Sequence, residues 1–285
     1  MIKEHIAKIP TRPDDTHKGD FGHALILAGS RGMTGAAYLA SQAAILAGSG
    51  LVTCGVPESL NGIMEVKLTE VMTLPLPETK EASLDTRAEE KIVDFAEKCD
   101  VVGVGPGISR NKNTQKLVKN LLKRLKKPVV LDADGIIALG TDCDILKKRK
   151  YPTVLTPHEG EMSYVTGKRI NAIRASRKTV AETFAKKYGV ILALKGAGTI
   201  VAGAGNDPYV NTTGNSGMAT AGAGDVLTGM ITSFIGQGIA PYSAAVIGVY
   251  LHGLAGDIAA KEKGQFSLIA TDLLDKLPQA IKEVL

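Results

Sequence analysis

An α/β fold with a central, mostly parallel sheet and helices on both faces is predicted by three observations. Short apolar runs alternate with amphipathic stretches along all 285 residues. The apolar runs are uniformly apolar rather than alternating, as expected for strands covered on both faces. Helix-period segments lie between them, which is the pattern of parallel strands joined by crossovers.

The elements follow in order. HALILAG (23–29) predicts a buried strand, and TGAAYLASQAAILAGSG (34–50) an Ala-rich helix closed by glycine. LVTCGV (51–56) and EVMTLPL (70–76) predict strands, and TRAEEKIVDFAEKC (86–99) a helix leading into the strand and turn DVVGVGPG (100–107). NKNTQKLVKNLLKRLKK (111–127) is helical in period and PVVLDAD (128–134) extended, with YPTVLTP (151–157) a further strand. RASRKTVAETFAKKYG (174–189) predicts a helix stopped by Gly189 before the strand VILALKG (190–196). TIVAG (199–203) and PYVNTTG (208–214), separated by a polar turn, predict a hairpin. Three helices, 222–237, 241–262 and 271–284, close the chain. No low-complexity linker, repeat or compositional break divides it, so one domain over residues 1–285 is expected.

Composition excludes several classes. Hydrophobic residues make up 44% of the chain, enough for a sizeable core. The formal net charge of +5 is a mild excess, and only 4% of residues are aromatic, so a nucleic-acid partner is not expected. The basic runs LKRLKK (122–127) and LKKRK (146–150) are best read as cations at helix ends. Cys54, Cys99 and Cys143 are isolated, which speaks against a disulfide framework or a structural zinc site. The opening MIKEHIAKIPTRPDD lacks the apolar core of a signal peptide, and no run of about twenty apolar residues suggests a membrane span. A cytoplasmic protein without a membrane partner is the expectation.

In an open sheet of this kind the ligand crevice lies beyond the carboxyl ends of the strands. Five such loops are rich in glycine or acids: GSRGMTG (29–35), GVGPG (103–107), DADG (132–135), TPHEGE (156–161) and KGAG (195–198). To these is added TTGNSGMATAGAGDVLTG (212–229), which opens a long apolar helix. N–H groups in the first turn of a helix lack intrahelical partners and carry partial positive charge, and glycine lets an anion approach the backbone. Gly222, Ala223 and Gly224 therefore predict an anion hole, with Asp225 placed to accept a proton beside a phosphoryl group. The structural alternative is that these glycines permit close helix packing and Asp225 merely caps. The pattern GxxxxGK[ST] is missing, and GSRGMTG lacks the GxGxxG register of a dinucleotide fold. Lys195, Gly196, Ala197, Gly198 and Thr199 follow a strand and suit a nucleotide phosphate, or else form a simple turn. His158, Glu159 and Glu161 stand at a helix start, where capping is the plainer reading of the histidine. Acids beside a phosphate commonly organise Mg²⁺ and its waters; Asp132 and Asp134 could serve the same centre or cap the next turn.

Taken together, HKGDFGHALILAGSRGMTGAAYLA (17–40), GVGPG (103–107), VVLDADG (129–135), LTPHEGEM (155–162), LKGAGT (194–199) and NSGMATAGAGDVLTG (215–229) resemble the NAD(P)H-hydrate dehydratase family of the ribokinase-like superfamily. The likeness runs in order across nearly the whole chain. It implies a ribokinase-like fold and a repair reaction: ADP- or ATP-driven dehydration of the S form of hydrated NADH or NADPH, releasing phosphate and AMP or ADP. It further implies Asp225 as the base and Gly224 as a holder of phosphate. Lys195 through Thr199 would bind the adenosine phosphate, and Ala36, Gly107 and His158 the hydrated dinucleotide. Glu161 would occupy the place of an acid that orders Mg²⁺ indirectly, and Asn215 and Gly217 would shape the pocket. A homo-oligomer, a tetramer by family precedent, is expected. Because the motif HKGDFGHALILAG begins within twenty residues of the start, the dehydratase alone is expected, with any epimerase a separate protein. Two other functions compete: a hydroxymethyl-thiazole or pyrimidine kinase of the same superfamily, and a nucleotide-binding module without turnover.

Overall fold

The computed structural model describes residues 2–285. Nine strands form one sheet in the order β3-β2-β1-β4-β5-β6-β7-β8-β9. They are β1 His23–Leu27, β2 Leu51–Pro57, β3 Met72–Leu76, β4 Val101–Val104, β5 Val129–Leu131, β6 Thr153–Leu155, β7 Ile191–Leu194, β8 Ile200–Gly203 and β9 Asn206–Val210. Pairing is parallel from β3 through β7, and antiparallel where β8 and β9 form the hairpin.

Strand alternation divides the core between the two faces. Ala24 and Ile26 of β1 point to one face, packed with the helices Thr34–Leu46, Ala223–Gly236, Pro241–Lys263 and Ala270–Lys282. Leu25 and Leu27 point to the other, packed with Glu89–Ala96, Lys112–Arg124 and Arg177–Tyr188. Every residue of β4, β5 and β6 is buried, which is why those strands read as unbroken apolar runs.

The helix Ala223–Gly236 lies deepest and presses on Thr34–Leu46. A Cβ at Gly229 would fall 2.0 Å from the Ala40 carbonyl oxygen, so only glycine allows this approach. Part of the glycine content of the 212–229 stretch therefore serves packing, as the structural alternative held.

The helix Pro241–Lys263 is long and apolar enough to cross a membrane, with a mean hydropathy of 1.3, which corrects the expectation that no such run exists. Its apolar character comes from small residues rather than a lipid-facing surface: 72% of that window is buried inside the protein. Short helices at Asn61–Lys67, Ala133–Ile137 and Ile170–Ala175 were not foreseen, being too short to show a clear period.

Candidate active site

The loops after the parallel strands meet at one end of the sheet, tied by backbone bonds between neighbours. Gly29 N–H donates to Pro106 (2.8 Å), Asp132 N–H to Val104 (3.0 Å) and Lys195 N–H to Pro157 (2.8 Å). A cleft of about 1190 Å³ opens among the 132, 158–161, 195–199 and 211–225 segments.

Asp132 is buried at its floor, 1% exposed, at the end of β5. Its Oδ1 accepts from Thr156 Oγ1 (2.8 Å) and Lys195 Nζ (2.7 Å), and its Oδ2 from Thr228 Oγ1 (2.8 Å). Lys195 also faces Glu161 at 3.9 Å. Burial disfavours its ammonium, yet Asp132 and Glu161 more than offset this and raise its pKa.

The helix Ala223–Gly236 enters the cleft by its first turn. Its N-cap, Gly222, has φ 89°, and a Cβ there would meet Leu39 Cδ1 at 2.4 Å. Among the described residues, the N–H groups of Gly224 and Asp225 find no acceptor. A Cβ on Gly224 would stand 3.0 Å from Lys195 Nζ, so the ammonium lies against the first turn of this helix. Asp225 borders it. Burial, then repulsion from Asp132, push its pKa to about 7 against the pull of Lys195. Glu161 is raised for the same first reason, its burial opposed by Lys195.

His158 is the N-cap of the helix Glu159–Thr166: its Nδ1 accepts from the N–H groups of Gly160 (2.9 Å) and Glu161 (3.2 Å). Glu161 returns the favour at the His158 N–H (2.8 Å), completing a capping box. The Lys195–Thr199 loop is braced by Arg177, which donates to the carbonyls of Leu194 (3.0 Å) and Ala197 (2.5 Å).

The NAD(P)H-hydrate dehydratase family matches residues 24–279. A Bacillus subtilis ADP-dependent (S)-NAD(P)H-hydrate dehydratase is 34% identical over 98% of this chain and 96% of its own length. The chain belongs to the NAD(P)H-hydrate dehydratase family. A bifunctional NAD(P)H-hydrate repair enzyme from Moorella thermoacetica is 45% identical over 98% of the chain but only 52% of that relative. The chain thus spans about half the length of such bifunctional relatives. A Bacillus subtilis ADP/ATP-dependent NAD(P)H-hydrate dehydratase, co-crystallized with ATP/Mg²⁺, superposes with a TM-score of 0.86 at 32% identity, over 100% of this chain and 98% of that one. An Enterococcus faecalis ribokinase-like superfamily protein superposes with a TM-score of 0.83 at 27% identity, covering 99% and 94%. The fold is ribokinase-like.

On this dehydratase fold, most of the site residues expected from the sequence line one cleft: His158, Glu161, Lys195 through Thr199, Ala223, Gly224 and Asp225. Ala36 and Gly107 lie outside its lining and stand against each other instead; a Cβ on Gly107 would be 2.9 Å from that of Ala36. Asp134 is turned away, holding the Ser109 N–H and Arg110. No group of three His, Cys, Asp or Glu among the described residues could hold a metal. The oxygens of Asp132 are filled by a lysine and two threonines, which does not fit direct metal ligation. The three cysteines are free and buried.

Thr228, Thr156 and His252 join the site without having been foreseen. Thr228 lies one turn after Asp225 and shares its side of the helix, a signal open to period counting. Threonine at a strand end and one histidine in an apolar helix carry no such mark. A second groove, about 780 Å³, gathers both basic runs around the end of Lys112–Arg124. There the half-buried Arg149 guanidinium donates to the carbonyls of Leu122 (2.5 Å) and Lys127 (2.9 Å), so it caps that end of the fold.

Proposed function

We propose that this chain dehydrates the S form of hydrated NADH or NADPH at the expense of ADP or ATP, releasing phosphate and AMP or ADP. Hydroxide is a poor leaving group and phosphate a good one. Transfer of the terminal phosphoryl group to the ring hydroxyl, followed by loss of phosphate, replaces one hard step by two easier ones. Asp225 takes the hydroxyl proton. The free N–H groups of Gly224 and Asp225, with Lys195, hold the phosphoryl oxygens as charge shifts onto them. The Lys195–Thr199 loop holds the adenosine phosphate, and Ala36, Gly107 and His158 contact the hydrated dinucleotide. Magnesium, when bound on the nucleotide phosphates, supplies charge neutralisation; Glu161 would reach it only through water or phosphate.

The observation that carries this reading is Asp225, with a pKa near 7, in a first helical turn whose N–H groups are unpaired and within the electrostatic reach of the half-buried Lys195. A base poised near the working pH transfers protons best. A binding module without turnover has no use for a carboxylate whose charge would repel its anion.

We further propose that ADP is the preferred donor, as in the name of the Bacillus subtilis relative. A cytoplasmic setting suits the three free thiols. Assembly as a homotetramer, and supply of the S form by an epimerase, rest on family precedent.

The test supplies hydrated NADH with ADP or ATP and follows reduced-nicotinamide absorbance alongside phosphate release. Recovery of absorbance with equimolar phosphate supports the reaction. A product that keeps its phosphate would instead identify a kinase.

A further inference from the structure

His252 lies on the helix Pro241–Lys263, borders the cleft, and brings Nε2 within 2.8 Å of the Ala223 carbonyl oxygen. A carbonyl only accepts, so Nε2 carries the proton and donates. We propose that His252 is a positioning residue that locks the Ala223–Gly224 peptide plane so that the Gly224 N–H faces the anion.

The argument is geometric. A trans peptide is planar and its C=O and N–H point to opposite sides, so fixing one aims the other. Ala223 is flanked by Gly222, at φ 89°, and by Gly224, and glycine resists rotation of a neighbouring peptide plane less than any other residue. A rotated plane would place an oxygen, rather than a hydrogen, in the hole. The bond from His252 opposes that rotation from outside the helix. Burial lowers the imidazole pKa to about 4, so the ring is neutral at neutral pH and donates without adding a second cation beside Lys195.

The surrounding sequence, HGLAGD (252–257), is shaped for the same purpose. A Cβ at Gly253 would fall 2.2 Å from Thr213 Oγ1, and one at Gly256 would fall 2.3 Å from Met218 Sδ. The segment before the anion hole is thereby seated directly on this helix. Asp257 then holds the Gly214 N–H (2.8 Å) and the Asn215 side chain (2.9 Å).

This role rests on the proposed dehydratase reaction, and the test separates the two. The full chain, wild type and with His252→Leu or His252→Gln, is assayed with hydrated NADH and ADP. Leucine fills the space without a donor, whereas glutamine retains an N–H. His252→Leu should lose roughly 10- to 100-fold in kcat, less than the roughly 10²–10³ of an oxyanion-type donor removed outright, with KM for the hydrate changed by less than about twofold. His252→Gln should recover most of that loss. Calorimetric binding of orthophosphate in the presence of AMP should weaken about tenfold in the leucine variant alone. Equal losses in both variants, or wild-type kcat in His252→Leu, overturn the positioning role. If His252→Leu does not fold, His252→Met replaces it in the same comparison. A wild-type chain that forms no reduced nicotinamide counts against the reaction itself.

Discussion

Lys195 and Asp132 form an ion pair at the floor of the cleft, Nζ to Oδ1 2.7 Å, with side chains 17% and 1% exposed. The pair gives Lys195 two duties, compensating a buried carboxylate and presenting charge to an incoming phosphate.

Lys195→Ala should therefore weaken ADP binding by roughly tenfold or more, through loss of a charged hydrogen-bond partner. It should also destabilise the fold by up to about 3–5 kcal/mol, because it strips the buried Asp132 carboxylate of its ion-pair partner. The two threonine donors moderate this loss. Calorimetric titration and denaturant unfolding measure the two effects separately. Unchanged ADP affinity with lowered stability would leave Lys195 a structural partner of Asp132 only.

His158 also combines two possible duties, and substitutions can part them. His158→Ala removes the acceptor for two N–H groups and should cost about 0.5–2 kcal/mol of stability. It should raise the KM for hydrated dinucleotide more than that for ADP. His158→Asn keeps a capping oxygen and should restore stability but not KM. Restoration of both would assign the imidazole to the cap.

Gly224→Val tests the anion hole. The added side chain would begin 3.0 Å from Lys195 Nζ, in the space where backbone and ammonium converge. Orthophosphate and ADP binding should both fall by tenfold or more, with the helix itself retained, since valine costs less than 1 kcal/mol in helix propensity. Far-ultraviolet circular dichroism and calorimetry decide it; wild-type phosphate affinity would remove Gly224 from the hole.

The fold was legible because β1, β4, β5 and β6 are buried on both faces and separated by long periodic helices, a pattern that admits few other architectures. The site was legible where glycine and charge stand together in sequence, as at Gly222–Asp225 and Lys195–Thr199. It was not legible where partners meet only in space. Thr228 is 96 residues from Asp132, and His252 is 29 from Ala223. Nor could sequence separate Gly229, which lets two helices touch, from Gly224, which leaves room for an anion; the two differ only in what a Cβ would strike.

Asp225→Asn joins the catalytic and electrostatic arguments. As the base, Asp225 must be ionised, so wild-type kcat/KM should rise with pH through about 7, the value to which burial and Asp132 push it. Asparagine keeps the shape but cannot accept the proton, and turnover should fall by roughly 10²–10⁴ while substrate binding stays close to normal. Stability should move the other way. The folded-state pKa lies above the unfolded value of 3.8, so the wild-type fold loses stability as pH rises from about 4 to about 7, where the unfolded carboxyl ionises and the buried one still holds its proton. The amide suffers no such loss. Asp225→Asn should match wild type near pH 4 and exceed it above pH 7, by on the order of 1–4 kcal/mol in denaturant unfolding. A variant that turns over normally would remove Asp225 as the base. One that is inactive but gains no stability at high pH would instead locate the charge cost in Asp132 or Glu161, the other carboxylates beside Lys195.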